Sequence, residues 1–274
     1  MKHLIFFFAL ISTSFLVGQN VSSKWVRQVG GSEYDIGNAI TVDAADNLYI
    51  TGHFQGLVDF DPSASTFTLN AIGQDVFILK LDSSGSFIWA KQIGGYNGDA
   101  DGLAIKTDRS GNVYTTGVFA GSADFDPGIG AYDLTSANDF SSSFIWYDVF
   151  VSKLDSSGNF IWAKQFGGYS HDYGRSIAID NLNNVYVGGE FEDQNVDFDP
   201  GTNTFYLSAE MIDAFISKLD SNGNFIWAKR FGGNQPETVY GLSLDKYANV
   251  YSTGLFQDTC DFDPSSATFN LPPA

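Results

Sequence analysis

A single cysteine, Cys260, stands in a chain of 274 residues. Internal disulfides are therefore excluded, as are multi-cysteine metal sites. Basic residues are also scarce, with 14 Lys and Arg against 32 Asp and Glu and a formal net charge of −18 at pH 7. A surface of that sign repels phosphate backbones and anionic lipid, which excludes nucleic-acid binding and leaves cationic ligands, divalent metals or basic partner surfaces. Histidines number three, and His53 and His171 fall at unrelated positions away from any metal or nucleophile motif. No Gly-Lys-Ser/Thr phosphate loop, Gly-x-Ser-x-Gly elbow or His-Glu-x-x-His is present. Helical periodicity is missing as well, because Gly, Pro or Asn interrupts every candidate window of about ten residues.

Long apolar runs are confined to one place, Leu4 to Val17, preceded by Lys2-His3 and followed by Gly18. A basic head, a short apolar core and a small residue at its end read as a secretory signal peptide, too short for a comfortable bilayer span. Residues 1–19 are therefore set outside the expected fold. The protein is expected to be secreted or held at the cell surface, with no membrane insertion once the leader is removed. Loss of Lys2 makes the remaining chain still more acidic.

What the sequence does have is aromatics, 16 % of residues, and a long repeat. Asp-Phe-Asp-Pro occurs at Asp59–Pro62, Asp124–Pro127, Asp197–Pro200 and Asp261–Pro264. A segment Trp-(Ala/Val)-(Lys/Arg)-(Gln/Arg)-x-Gly-Gly starts at Trp25, Trp89, Trp162 and Trp227, at intervals of 64, 73 and 65 residues. The long interval contains an eight-residue insertion in or near Asn138 to Tyr147. In the third copy the strand-forming runs Ser176–Asp180, Val185–Phe191, Ala214–Leu219 and Phe225–Phe231 are separated by Asp-, Asn- and Gly-rich turns, apart from one long connection. Four antiparallel strands per unit, A to D, at a constant period describe a β-propeller blade. The expected class is thus all-β. Residues 24–36 supply an outer strand, 37–95 blade 1, 96–168 blade 2, 169–233 blade 3 and 234–274 a partial blade 4. Because the last copy stops inside its B-to-C connection, the expectation is an arc of a larger ring.

The consensus Asp-x-Phe-x-x-Lys-Leu-Asp-Ser-x-Gly-x-Phe-Ile-Trp-Ala-Lys-x-x-Gly-Gly spans Asp75–Gly95, Asp148–Gly168 and Asp213–Gly233. It alternates with Asn-(Val/Leu)-Tyr-x-(Thr/Gly)-Gly at Asn47–Gly52, Asn112–Gly117, Asn184–Gly189 and Asn249–Gly254. Together these resemble the SBBP family of bacterial β-propeller repeats. The resemblance implies a secreted or surface propeller, often one module of a larger exported protein, and it brings no reaction, cofactor or catalytic residue. The run Leu154 to Trp162 is also similar to quinoprotein-type propeller repeats, in which the Trp docks blades together.

Two features could carry chemistry. Asp35, Asp99, Asp172 and Glu237 each lie four residues past a Gly-Gly pair, in the D-to-A loop. A propeller would place them on the same face as Asp59, Asp61, Asp124, Asp126, Asp197, Asp199, Asp261 and Asp263, gathering twelve carboxylates. Hard oxygen ligands in loops suit Ca²⁺, although the spacing matches no EF-hand or RTX loop. The structural alternative is that each carboxylate closes an Asx-turn or accepts backbone N–H groups. The second feature is the insertion, whose Phe140, Phe144, Trp146 and Tyr147 would form a ligand patch or fold back as a hydrophobic plug. Cys260, in the slot of Val58, Ala123 and Val196, reads as a small buried residue. Lys80, Lys153 and Lys218 on strand C, and Lys91, Lys164 and Lys229 on strand D, read as partners of Asp on a solvated blade edge. The expected function is a non-catalytic interaction or scaffold module for a protein or glycan ligand, with no cofactor unless calcium. The alternatives are a propeller enzyme acting on polysaccharide through the carboxylate-rich face, and a calcium-stabilised surface structural protein.

Overall fold

The computed structural model describes residues 23–95, 98–137, 145–265 and 267–272, together with the backbone of 5–10. The strands, in chain order, are β1 (Ile5–Leu10), β2 (Ser23–Val29), β3 (Ile36–Val42), β4 (Leu48–Asp59), β5 (Thr68–Leu81) and β6 (Phe87–Ile93). The second unit has β7 (Ala100–Thr107), β8 (Val113–Phe119), β9 (Ser122–Asp124), β10 (Asp133–Thr135), β11 (Asp148–Leu154) and β12 (Phe160–Phe166). The third has β13 (Asp172–Ile179), β14 (Val185–Glu192), β15 (Val196–Asp197), β16 (Tyr206–Leu207), β17 (Ile212–Leu219) and β18 (Phe225–Phe231). The last has β19 (Thr238–Leu244), β20 (Val250–Leu255), β21 (Cys260–Asp261) and β22 (Asn270–Leu271). No helix occurs among the described residues.

Three four-stranded antiparallel sheets, β3-β4-β5-β6, β7-β8-β11-β12 and β13-β14-β17-β18, are followed by the pair β19-β20. This is the expected A-B-C-D order, and consecutive A strands lie beside one another from sheet to sheet. Turn chemistry sets each hairpin. Asp82, Asp155 and Asp220 each accept two backbone N–H groups, two and four residues on. The left-handed position of the turn falls to Gly85, Gly158 and Gly223 at φ 76°, 79° and 79°. The B-to-C connection, which the sequence marks only as a long connection, is itself a hairpin. In the first unit it prolongs β4 and β5, and elsewhere it forms β9-β10, β15-β16 and β21-β22.

The core lies between sheets rather than inside any one of them, which is why strand C is apolar at both parities. Residues Asp148 to Leu154 are all buried. Each complete unit stacks three phenylalanines. Phe60 packs on Phe54 and Phe77 (centroids 5.2 Å each), Phe125 on Phe119 and Phe150 (5.3 and 5.2 Å), and Phe198 on Phe191 and Phe215 (5.2 and 5.1 Å).

Neighbouring units are locked by groups at fixed repeat positions. Trp25, Trp89 and Trp162 donate Nε1–H to the carbonyls of Ser83, Ser156 and Ser221 in the next unit's C-D turn, at 3.1, 3.3 and 3.1 Å. The turn glycine lies against that ring, so a Cβ on Gly85 would stand 2.9 Å from Trp25 Cδ2. Lys80 and Lys153 are not on a solvated edge. They are buried, lie over the rings of Tyr49 and Tyr114, and donate to the same Ser156 and Ser221 carbonyls at 3.0 Å. Lys218, over Tyr186, is ion-paired with Asp180 at 3.8 Å.

At the N-terminus, β1 pairs with β2 in the register that strand C has with strand D elsewhere. Ile5 faces Val29 and Phe8 faces Val26, as Val76 faces Ile93 and Leu79 faces Ala90. The backbone of 5–10 thus pairs with β2 in a two-stranded sheet, although the sequence set residues 1–19 apart.

Gly223→Ala tests the interlock. A Cβ there would stand 3.0 Å from Lys164 Cε and 3.1 Å from Trp162 Cδ2, at φ +79°. The expected loss is about 1–3 kcal/mol, read as a lower Tm and denaturation midpoint. An unchanged midpoint would show that the turn does not bear on blade docking.

Candidate functional site

The Asp-Phe-Asp-Pro motif lies where one unit's end meets the next unit's B-C hairpin. Antiparallel bridges join Gly30 to Asp59, Gly94 to Asp124, Gly167 to Asp197 and Gly232 to Asp261. The first Asp of each motif then accepts two backbone N–H groups, two and eight residues on. Asp124 takes those of Asp126 and Tyr132 at 2.9 and 2.8 Å. Asp59, Asp197 and Asp261 do the same with their own hairpins. The second Asp, at Asp61, Asp126, Asp199 and Asp263, accepts the N–H two residues on at 2.8–2.9 Å. In the D-to-A loops, Asp35, Asp172 and Glu237 accept the N–H of Gly31, Gly168 and Gly233 at 2.7, 2.7 and 2.9 Å. Asp99 accepts that of Gln74 at 3.3 Å.

Among the described residues no three His, Cys, Asp or Glu side chains are grouped to hold a metal ion. What the fold assembles instead is carboxyl pairs around the Gly-Gly turns, each joining a D-to-A loop acid with the first residue of a strand C segment. The strand C acids Asp75, Asp148 and Asp213 are 0–1 % exposed. A Cβ on Gly167 would meet both Asp148 Oδ1 (2.7 Å) and Asp172 Oδ2 (2.9 Å). Burial pushes Asp148 up to about 7. Burial and the neighbouring Asp148 raise Asp172 well above the usual range. Burial likewise raises Asp75, with the Asp99 charge adding to it, and Glu237, with Asp213 adding. Asp213 is raised by burial against the opposing Arg230, its hydrogen-bonded partner. These strand C acids served the sequence reading only as landmarks. The repeat showed them invariant, but burial was not legible there.

A second feature sits beside the Gly167 to Asp197 bridge. Unit 3 has one extra residue between Phe191 and Val196, and the segment carries two non-glycine residues at positive φ, Asp193 (91°) and Asn195 (61°). Asp193 accepts the Tyr169 N–H at 3.0 Å, and Gln194 Nε2 donates to the Ala209 carbonyl. The result is a cleft of about 570 Å³ lined by Gly168, Tyr169, Asp193, Asn195 and Tyr206. Tyr169 is 74 % and Tyr206 56 % exposed. Both were missed. Tyr206 was detectable as a departure from the repeat, standing where Thr68, Asp133 and Asn270 occur.

Of the insertion aromatics, Phe140 and Phe144 lie outside the described residues. Trp146 and Tyr147 are half-buried against His171, with centroids at 4.7 and 5.7 Å, and Tyr147 also packs on Tyr173 at 6.2 Å. They fold back on unit 3. Burial lowers the His171 pKa. His53 contacts Asp101 at 3.0 Å and stacks on Tyr34. Cys260 is fully buried and its thiol is pushed up to about 12, consistent with a packing residue.

A family model described as SBBP, β-propeller repeat, matches residues 24–53 and 161–190. These two segments are where the chain matches the SBBP repeat. Both matches run from a D strand through the Gly-Gly turn into the A and B strands of the next unit, so they frame the carboxyl and Trp interlocks described above. The chain is similar to an uncharacterised WD repeat-containing protein of Acanthamoeba polyphaga mimivirus, 26 % identical over 212 residues. It is also similar to the regulatory protein FlaEY of Caulobacter vibrioides, 27 % identical over 178 residues. The matches cover 69 % and 62 % of this chain but only 15 % and 17 % of those proteins. The shared part is thus a minor portion of each relative.

The buried acids set a pH dependence. A folded-state pKa raised from 3.8 to about 7 makes Asp148 stabilising below about pH 4, and that contribution is lost as pH rises through about 7. Denaturation at pH 5 and pH 8 is expected to show wild type weaker at pH 8 by a few kcal/mol (about 1.4 per pKa unit). Asp148→Asn should flatten the difference; an equal slope in both proteins would remove Asp148 as its source.

Proposed function

We propose that this chain is an exported, non-catalytic interaction module that holds a protein or glycan ligand in the cleft of Tyr169 and Tyr206. The observation that carries the reading is how the polar groups are used. Each of the twelve repeated carboxylates accepts a backbone N–H within the scaffold. The cleft, by contrast, departs from the repeat, presents two exposed aromatic faces and is bordered by hydrogen-bonding groups. That combination suits sugar rings or an extended peptide. Export rests on Lys2-His3 and the Leu4–Val17 run.

The polysaccharide-enzyme reading has one observation in its favour, the carboxyl of Asp148 held near neutrality beside Asp172, a property of general acids. Both side chains are 1 % exposed, which separates them from any substrate on the surface.

Two experiments test the proposal. On a panel of glycans and candidate surface proteins, the Tyr169→Ala/Tyr206→Ala protein should bind about tenfold more weakly, and product release abolished by Asp172→Asn or Asp99→Asn would instead establish the enzyme. N-terminal sequencing of the protein recovered outside the producing cell should begin near Gln19, whereas an intact Met1 on exported protein would mean that the leader is not cleaved.

A further inference from the structure

Turns and docking groups recur from unit to unit, but one cross-strand place in the A-B hairpin differs in each. It is held by Ile36 and His53 in the first unit, Asp101 and Val118 in the second, Tyr173 and Glu190 in the third, and Thr238 and Leu255 in the last. Strand A of each unit lies beside that of the next, so these places form one row. Polar contacts cross the junctions along it, from His53 to Asp101 and from the Thr238 hydroxyl to Glu190.

In the third unit the row holds a cation. Arg175, the residue bulged out of the β13-β14 register, is ion-paired with Glu190. Its guanidinium carbon lies 4.6 Å from the Tyr173 ring centroid and 5.8 Å from that of Tyr240. A guanidinium set against tyrosine faces and a carboxylate is stabilised by both.

The junction of units 1 and 2 has the carboxylate and the rings without the cation. Its bulged residue is the uncharged Asn38, which donates to Asp101 Oδ1 at 2.7 Å and to the Gly102 carbonyl at 3.1 Å. His53 Nδ1 meets the same Oδ1 at 3.0 Å, and Tyr34, 47 % exposed, stacks on His53 at 6.3 Å. Among the described residues no hydrogen bond reaches Asp101 Oδ2, and no Lys or Arg is ion-paired with this carboxylate. Half-buried Tyr147 lies near enough for the Asp99 and Asp101 charges to add to the effect of burial in raising its pKa.

We propose that Asp101, with Tyr34, His53 and Tyr147 around it, binds an arginine side chain of a basic partner peptide, as Glu190, Tyr173 and Tyr240 hold Arg175. The carboxylate supplies the opposite charge and the tyrosines supply the ring faces. The net charge of −18 draws basic segments toward the surface, and the site selects among them. The site does not rest on the Tyr169 and Tyr206 cleft.

The probe is a labelled synthetic peptide of alternating Gly and Arg, titrated into the full chain at about 150 mM salt and followed by fluorescence anisotropy. Saturable binding is expected, and none with the Gly and Glu counterpart. Asp101→Asn should weaken it about tenfold, and Tyr34→Leu, an exchange at an exposed ring, several-fold. Should Asp101→Asn melt early, Tyr34→Leu decides. Asp46→Asn removes the same charge from an exposed turn at the other end of the β3-β4 hairpin and should change nothing. Equal weakening by Asp46→Asn would reveal attraction to net charge alone and overturn the proposal, as would absence of saturation up to about 100 μM. The Tyr169→Ala/Tyr206→Ala protein should bind the peptide as wild type does; loss there would put the peptide in that cleft and overturn the Asp101 site. Failure of the glycan and protein panel, by contrast, leaves the site standing.

Discussion

Each unit depends on the next through groups it cannot satisfy within its own sheet. The indole N–H of Trp89 and the ammonium of Lys80 both end on the carbonyl of Ser156, one unit on, at 3.3 and 3.0 Å. Meanwhile the Gly94 backbone exchanges hydrogen bonds with Asp124 at 3.1 Å. A buried ammonium or indole donor without an acceptor would be costly. The next turn supplies that acceptor, so a single sheet is incomplete in polar as well as apolar terms. This is the nearest-neighbour logic of repeat proteins, here imposed by hydrogen bonds at fixed positions as much as by buried area.

The same logic explains the acidic loops. An outer strand ending in Gly-Gly exposes N–H groups at the turn, and a carboxylate four residues on, as in Asp35 and Asp172, caps one of them at 2.7 Å. Asp-Phe-Asp-Pro folds its hairpin with both carboxylates and inserts the intervening Phe into the inter-sheet core. The negative charge of the chain is in this respect the chemistry of its turns. Where the repeat is broken by the extra residue around Asp193, the surface presents the exposed rings of Tyr169 and Tyr206 beside a hydrogen-bonded turn.

The sequence showed the four-strand unit, because turns punctuated by Asp, Asn and Gly and a period of about 65 residues are local signals; the docking role of the Trp came only with the resemblance to quinoprotein-type repeats. The half-buried Trp146 and Tyr147 also match one of its two readings, that of a plug. It misplaced Lys80 and Lys153, assigned to a solvated edge, because their acceptors lie 76 and 68 residues away in the next unit. It grouped twelve carboxylates by face and overlooked Asp75, Asp148 and Asp213. Alternation along a strand does not tell whether an aspartate at its start is covered by a neighbouring turn. Tyr169 and Tyr206 were missed because neither lies in a repeated motif and their proximity arises only when the B-C hairpin folds back beside the Gly-Gly turn.

The sequence by itself determined class, repeat, strand order and turn geometry, since each rests on interactions between residues close in the chain. Only the tertiary structure decided which carboxylates are buried in pairs, which lysines are internal and where clefts open. Desolvation and hydrogen-bond partnership at these positions are set by the adjoining unit, some 65 residues away, and no local pattern encodes the distance between them.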